Sequence, residues 1–307
     1  MLKRLLYTEI YLISRMSFID SNSCECMKSE LDLFSVPPTQ TSIEKGQWEE
    51  IPPVALRGDQ GPIEFRIESS DDIYFDLAET LLCVSVKLQK ADGEAVEAGD
   101  KVGPVNLFLH SLFSQVDVIV KQKLVSSSSP TYPYRAMIET LLSYDSSAMN
   151  SQLQTSLFYK DTAGKMDEND PTKANNEANR GLKDRTAFVS AGNTVDMVGR
   201  IHADLFCQPK YLLNHVDVHL KFTRSRNPFC LVSSEADADY KVFIVKAFLL
   251  VRKVDILSSV RKGHEMRLQK TNAKYPISRV LCNTFTLSQG DMNFNKSNAF
   301  SGQLPKK

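Results

Sequence analysis

Residues 63–88, which read IEFRIESSDDIYFDLAETLLCVSVKL, decide the fold of this chain. From Ile63 to Ile67 an apolar side chain alternates with a charged one, a period of two that is typical of a strand with one buried face. The same alternation returns from Ile73 to Leu77 and from Leu82 to Leu88. The stretch therefore predicts strands that each turn one face toward a hydrophobic core.

Segments with the same alternation recur along the rest of the chain, and one further segment has a different period. The further predicted strands are Val105–Leu109, Val116–Val120, Thr194–Leu205, Val216–Phe222 and Tyr240–Ile256. The segment with a different period is a predicted helix from Tyr134 to Leu153, where apolar side chains recur at spacings of three and four. Its apolar positions are Tyr134, Ile138, Leu141, Leu142 and Ala148. About eight strands with one inserted helix indicate an all-β sandwich and not a parallel α/β sheet.

The charge balance of the chain argues against some classes of partner. Lys and Arg number 37, as do Asp and Glu, so the formal net charge is zero. A neutral chain has no general attraction to nucleic acid or to an anionic membrane, and little long-range repulsion opposes its self-association. No apolar run reaches the roughly 20 residues that span a bilayer. We therefore expect no membrane partner.

The start of the chain is left out of the fold prediction. Residues 1–15 faintly resemble a signal peptide, but Glu9 interrupts the apolar run and no cleavage site of small residues follows. Both Met1 and Met16 remain open as the true start.

The sequence contains no constellation that points to catalysis. Its six cysteines are scattered except for Cys24 and Cys26, and no histidine cluster completes a zinc site with that pair. His215 and His219 are four residues apart, but the alternation around them indicates exposed histidines on a strand rather than a metal pair. Phosphate-binding loops and nucleophile elbows are absent. We predict that the chain is not an enzyme and binds no metal or cofactor.

Polar segments flank and interrupt the predicted sandwich. From Ser17 to about Asp59 paired prolines disfavour helices and central strands, so we expect an extended arm. Residues 161–185 are rich in Lys, Asp, Glu and Asn and predict a long exposed loop, with a short helix inside it as an open alternative. Short apolar segments typical of strands begin again at Lys274 and predict the beginning of a second, truncated domain. The candidate contact residues on the arm are Leu33, Phe34 and Trp48, with packing on their own domain as the alternative.

Several segments together resemble a known family. Residues 26–34, CMKSELDLF, with the following 36–43, VPPTQTSI, are similar to the N-terminal arm of major capsid proteins of Polinton (Maverick) elements and adinto-like viruses. The similarity continues through NLFLHSLFSQVDV at 106–118, YPYRA at 132–136 and GRIHADLF at 199–206. Each piece alone is a weak signal, and the combination is more specific.

This resemblance implies a fold, an organisation and a function. The fold is a double jelly roll, of which this chain has the first roll with one inserted helix and a truncated second roll. Residues 1–60 are then the N-terminal extension and arm, 61–260 the first roll, and 261–307 a linker and the start of the second roll. The implied function is structural: homotrimers form pseudo-hexameric capsomers of an icosahedral shell. Neighbouring capsomers and a minor capsid or penton protein are the implied partners.

The same resemblance implies where the protein is found. Before assembly it resides in the cytoplasm or nucleus of a host cell, and afterwards in the virion, where it meets nucleic acid only indirectly as the packaged genome. The alternative is a single β-sandwich that binds a glycan or protein ligand, which predicts a stable monomer with an aromatic-lined concave surface. The aromatic side chains lie mostly within the apolar alternation, which favours a core position.

Overall fold

The computed structural model describes residues 31–36, 39–58, 61–70, 72–126, 128–173, 178–236, 239–290, 292–297 and 299–300. The chain divides into two compact units, Met1–Thr41 and Ser42–Lys307. The strands and helices given below all lie in the second unit.

The second unit is built mainly from β-strands. In chain order they are β1 (Ile43–Ile51), β2 (Ile63–Ile67), β3 (Ile73–Lys90), β4 (Val102–Pro104), β5 (Phe113–Val120), β6 (Lys123–Leu124), β7 (Val195–Arg200), β8 (Val218–Arg224), β9 (Leu231–Ser233) and β10 (Tyr240–Ile256). The alternating segments from residue 63 onward therefore do form strands, with two exceptions. Val105–Leu109 lies outside the strands, and the predicted strand Thr194–Leu205 ends at Arg200.

The pairing of these strands is that of a jelly roll. One four-stranded sheet has the order β1-β10-β3-β7, the other has the order β2-β8-β5-β6, and β4 pairs with β9 in a small separate ladder. Every pairing is antiparallel. Successive strands of the two large sheets alternate between the sheets, except for β5 and β6, which pair with each other in the second sheet. The first and last strands lie side by side, which is the eight-stranded arrangement of two Greek keys. The predicted jelly-roll sandwich is thus confirmed.

Both sheets contribute to one hydrophobic core. Its members include Phe65 of β2, Leu82 of β3, Phe222 of β8 and Leu249 of β10, all with no exposed surface. The ring of Phe222 meets those of Phe65 and Phe113 edge-on, with ring centroids 5.7 and 5.0 Å apart. Such edge-to-face pairs stabilise a core beyond the area they bury. The two sheets therefore pack face to face through the alternate residues that the sequence pattern marked.

The described part of the chain has six helices, five between strands and the sixth after β10. They are α1 (Phe108–Ser111), α2 (Tyr132–Ser143), α3 (Ser146–Met149), α4 (Arg180–Ala187), α5 (Asn227–Cys230) and α6 (Ser258–Leu268), with 3₁₀ turns at Gln152–Ser156, Ser190–Gly192 and Asp204–Cys207. None of the helices in the described ranges is long and apolar enough to cross a membrane.

The predicted helix 134–153 is broken into three pieces. Helix α2 ends at Ser143 because Tyr144 is extended, with φ −120° and ψ 143°. Asp145 then starts α3 by accepting a hydrogen bond from the backbone N–H of Ala148 at 3.0 Å. An aspartate that caps a new helix competes with continuation of the old one. The single long helix was therefore wrong beyond Ser143.

The polar stretch 161–185 is anchored at its end. The guanidinium of Arg185 is buried and donates to the carbonyl oxygen of Pro104 at 3.0 Å and to that of Tyr159 at 2.9 Å. It also pairs with the Asp161 carboxylate at 3.0 Å. A short helix, α4, does form at the end of this stretch, and the prediction of an exposed loop is corrected there because one buried arginine ties α4 to the roll.

The two ends of the predicted roll differ from the sequence boundaries. Residues 43–51, assigned to the arm, pair with β10 as the first strand of the roll. Nearly all of β1 is exposed, so it lacks the period-two apolar pattern that marks a half-buried strand. At the other end, no strand forms within 269–290, 292–297 and 299–300. The predicted first strand of a second roll has no ladder partner in this part of the chain, and the second roll stays a prediction.

Candidate assembly surfaces and a buried histidine cluster

Helix α2 turns a row of large apolar side chains to solvent, which we call the outer face. Its members are Tyr134, Ile138, Leu141 and Leu142, which are 44 to 82% exposed. The ring of Phe229 on α5 extends this row, with its centroid 5.7 Å from that of Tyr134. These are the side chains whose spacing predicted the helix.

The opposite face of α2 is buried although its side chains are smaller or more polar. Tyr132, Ala136 and Thr140 follow one another at intervals of four and are at most 5% exposed. Ala136 packs against Leu107 and Phe158. A helix that is apolar on both sides is typical of a position covered on both sides. The outer face is therefore the best candidate in the described chain for a contact with another molecule.

The three predicted contact residues lie in different surroundings. Leu33 and Phe34 belong to the first unit and are 76% and 98% exposed. Trp48 lies on β1, opposite Arg252 of β10, and is 49% exposed. The structure therefore places Trp48 on the roll itself, whereas Leu33 and Phe34 precede it.

The two edge strands of the first sheet, β7 and β1, differ in whether another part of the chain covers them. At β7 the turn Gln152–Ser156 covers the edge, and the Thr155 hydroxyl donates to the carbonyl oxygen of Val198 at 2.8 Å. At the opposite edge, β1 pairs only with β10 within the described ranges. An open edge presents backbone groups that another strand can pair with. The charged side chains of β1, such as Glu49 and Glu50, oppose unspecific pairing.

A buried histidine cluster lies under α2. The ring of His110 on α1 contacts that of His202, which follows β7, with centroids 4.7 Å apart and planes at 86°. Nδ1 of His110 is 3.0 Å from the Tyr132 hydroxyl. Gly199 makes this approach possible, because a Cβ atom there would lie 2.7 Å from Cδ2 of Leu109 and 3.1 Å from Nε2 of His110.

Charged groups extend the cluster to the far side of α2. Nδ1 of His202 is 2.7 Å from a carboxylate oxygen of Glu139, and Nε of Arg135 is 2.8 Å from the other. The Arg135 guanidinium also contacts Asp204 at 2.7 Å. Asp204 in turn accepts a hydrogen bond from the backbone N–H of Val280 at 3.3 Å. The cluster therefore joins α1, α2, the end of β7 and the C-terminal segment.

The cluster shifts the pKa values of its members. Burial, followed by the neighbouring His202, lowers the pKa of His110 well below its usual value. Burial raises the pKa of the Tyr132 hydroxyl. Burial also acts to raise the pKa of Glu139, but hydrogen bonds and charge from His202 and Arg135 outweigh it and lower that pKa. At neutral pH the cluster thus holds a neutral His110 and Tyr132 beside an ionised Glu139.

Two cavities of about 380 and 470 Å³ lie beside the cluster, and both are lined by Arg200 and His202. Their walls also include Cys207, whose pKa is raised by burial and by the charge of Glu139. A nucleophilic cysteine requires the opposite shift. In the part of the chain that the structure describes, no serine, threonine or cysteine side chain hydrogen-bonds to the His110 or His202 ring.

Sequence reasoning did not find this cluster, although a signal was present. The segments 106–118, 132–136 and 199–206, which carry the family resemblance, contribute His110, Tyr132, Arg135, His202 and Asp204. Segments that look unrelated along the chain therefore meet at one place in the fold. The histidine pair singled out in the sequence does not belong to it: His219 lies on β8, 3.3 Å from Glu64, and His215 precedes that strand.

No protein-family model and no curated protein matches the chain. Among solved structures it is similar to the Faustovirus major capsid protein, at 8% identity and a TM-score of 0.45, over 77% of this chain and 58% of that one. It is also similar to the mavirus major capsid protein, at 11% identity and a TM-score of 0.39, over 80% of this chain and 54% of that one.

A third similar structure is that of the Sputnik virophage, at 10% identity and a TM-score of 0.46, over 77% of this chain and 53% of that chain. Two of these three structures are major capsid proteins, and the third is that of a virophage. The chain spans about half the length of each of them.

Proposed function

We propose that this chain is a structural capsid protein that builds a viral shell by self-assembly. The observation that carries the proposal is the outer face of α2, a row of large apolar side chains left uncovered on a jelly roll. A stable monomer rarely leaves such a row on a helix whose other side is already buried. The family resemblance of the segments that surround the cluster supports the same function.

In its finer form, the proposal is a homotrimer that forms pseudo-hexameric capsomers of an icosahedral shell. Shells of this kind are stabilised by many modest interfaces in closed symmetry, so the chain needs no single tight site. The outer face, the open edge of β1 and the arm residues Leu33, Phe34 and Trp48 are the proposed contacts. Residues 261–307 are proposed to lead into a second roll, and a minor capsid or penton protein is a further proposed partner. The site of action is the virion, after synthesis in the host cell.

The proposal is tested by the mass of the assembled protein. We would express the reading frame extended downstream by about 200 residues, the length that a second roll needs, and compare it with the 307-residue chain by light scattering and negative-stain microscopy. Trimers or shells from the extended chain are the expected result. A well-folded monomer of the extended chain would overturn the proposal and favour the ligand-binding sandwich.

A pair of variants locates the contact. The double variant Ile138→Glu/Leu142→Glu places charges on the outer face and is expected to abolish association of the extended chain. Met266→Glu on α6 is the matched control, because Met266 is 67% exposed but lies away from the outer face. Association that survives the double variant would remove the outer face from the interface.

A further inference from the structure

We propose that the buried histidine cluster is a pH-sensitive latch, which fastens α2 and the C-terminal segment 274–280 to the roll at neutral pH and releases them on mild acidification. This is a regulatory device that goes beyond the proposed capsid function and does not depend on it. Its members are His110, Tyr132, Arg135, Glu139, His202 and Asp204.

The two imidazoles of the latch differ in their surroundings, because His202 contacts the Glu139 carboxylate whereas His110 contacts no carboxylate among the described residues. His110 is 2% exposed, and its Nδ1 has the Tyr132 hydroxyl as a partner 3.0 Å away. Its other close ring neighbour is His202, which lies edge-on at 4.7 Å. A proton added to His110 would therefore place a charge in an apolar site beside a second imidazole. Both burial and a like charge oppose protonation.

The groups that face His110 from the other elements do not offset this cost. Helix α2 presents Tyr132, Arg135 and Glu139, β7 presents Arg200, and the segment after it presents His202, Asp204 and Cys207. Of the two carboxylates, Glu139 binds His202 and Arg135, and Asp204 binds Arg135. Neither carboxylate contacts His110 in the described structure.

Release of the cluster would free two parts of the molecule together. Three of its members lie on α2, so protonation of His110 acts directly on the attachment of that helix. Asp204 holds the Val280 N–H and has Arg279 4.0 Å away, while Tyr275 donates to the carbonyl oxygen of Tyr211 at 3.2 Å. The Tyr275 contact lies outside the cluster, so loss of the Arg135–Asp204 contact acts on this segment at Arg279 and Val280. Because the outer face is part of α2, release of that helix on acidification would also displace the proposed assembly contact.

The direction of the pH effect follows from linkage. The pKa of His110 is lower in the latched state than the 6.5 of a free histidine. The released state therefore binds a proton first as the pH falls, so the latched state is stable above about pH 6.5 and is lost progressively below it. A histidine that stays neutral when latched increases the ratio of released to latched molecules about tenfold between pH 7.5 and pH 5.5. Carboxylates titrate lower, so this window belongs to histidine.

Hydrogen exchange measured by mass spectrometry tests the latch on the 307-residue chain. After correction for the intrinsic pH dependence of exchange, protection of residues 132–143 and of the peptide that contains Val280 is expected to fall about tenfold from pH 7.5 to pH 5.5. Protection of β3 and β10 is expected to stay constant, because these strands form the centre of the first sheet.

Two variants separate the latch from a general loss of stability. His110→Gln keeps a hydrogen-bonding side chain but cannot titrate, and its exchange in α2 is expected to be the same at both pH values. His264→Gln, an exposed histidine on α6, is the matched control and is expected to respond as the unaltered chain does. A pH response that persists in His110→Gln, or that disappears in His264→Gln, overturns the proposal. Should His110→Gln fail to fold, equal protection of α2 at both pH values in the unaltered chain overturns it as well.

Discussion

The two faces of α2 are a reversal of the usual amphipathic helix. Its inner face carries Tyr132, Ala136 and Thr140 and is buried, whereas its outer face carries the larger apolar Ile138 and Leu142 and is exposed. In a monomer the larger apolar side chains would be expected inside, because burial stabilises in proportion to apolar area. The inner face is held by the packing of Ala136 on Leu107 and Phe158 together with the polar contacts of the histidine cluster. The comparison shows that α2 is attached to the roll without its larger apolar side chains, which leaves them for a partner.

The largest expected effect comes from breaking the polar attachment of the inner face. Arg135→Met would leave the carboxylates of Glu139 and Asp204 without their shared cation, in a site where Asp204 is only 5% exposed. Removing one partner of a buried ion pair costs about 3–5 kcal/mol. We expect a decrease of this size in the free energy of unfolding, measured by urea denaturation at pH 7.5.

The control for this variant is a pair on the surface. Arg180 is 3.6 Å from Asp184 on α4, and its side chain is 87% exposed. Arg180→Met is expected to change the free energy of unfolding by less than about 1 kcal/mol. Equal effects of the two arginine variants would contradict the polar attachment of α2.

An effect of intermediate size on stability is expected from a pair of tyrosine variants on α2, one on each face of the helix. Tyr132→Phe removes the hydroxyl that bonds to His110, so the buried imidazole loses its partner at a cost of about 1–2 kcal/mol. Tyr134→Phe removes a hydroxyl from the outer face and is expected to change stability by less than about 0.5 kcal/mol. Thermal unfolding of both variants at the same pH measures the difference. A Tyr134 effect as large as that of Tyr132 would show that the outer face has polar contacts of its own.

The smallest expected effect on the free energy of unfolding comes from a substitution on the outer face. Leu142 is 82% exposed, so Leu142→Ser should leave the free energy of unfolding of the monomer within about 0.5 kcal/mol of its original value. The same variant should weaken association of the extended chain, measured as a shift of its light-scattering mass toward the monomer. A strong loss of monomer stability would mean that Leu142 packs on its own chain, and would count against the proposed interface.

How far the sequence predicts this molecule depends on the range of the interactions involved. The strands β2, β3, β8 and β10 were predicted correctly because apolar and polar residues alternate along each strand when one face is buried, and this pattern lies within a few neighbouring residues. The strand β1 was missed because it is an exposed edge strand and has no such alternation. Val105–Leu109 alternates too, yet residues 108–111 form the short helix α1, and Leu107 before it has a left-handed φ of 54°. Short apolar runs are ambiguous between strand and helix, and tertiary packing resolves them.

By itself, the sequence determined that this chain is a β-sandwich with one major inserted helix, because periods of two and near 3.6 are properties of neighbouring residues. It also placed large apolar side chains on α2, but not the direction in which they point. Only the tertiary structure decided that the small and polar side of that helix faces the roll. It also decided that His202 meets Glu139, 63 residues away in sequence, and that the ring of His202 packs against that of His110. Such contacts depend on how the sheets pack and where the connections cross them, and no local pattern of residues carries that information.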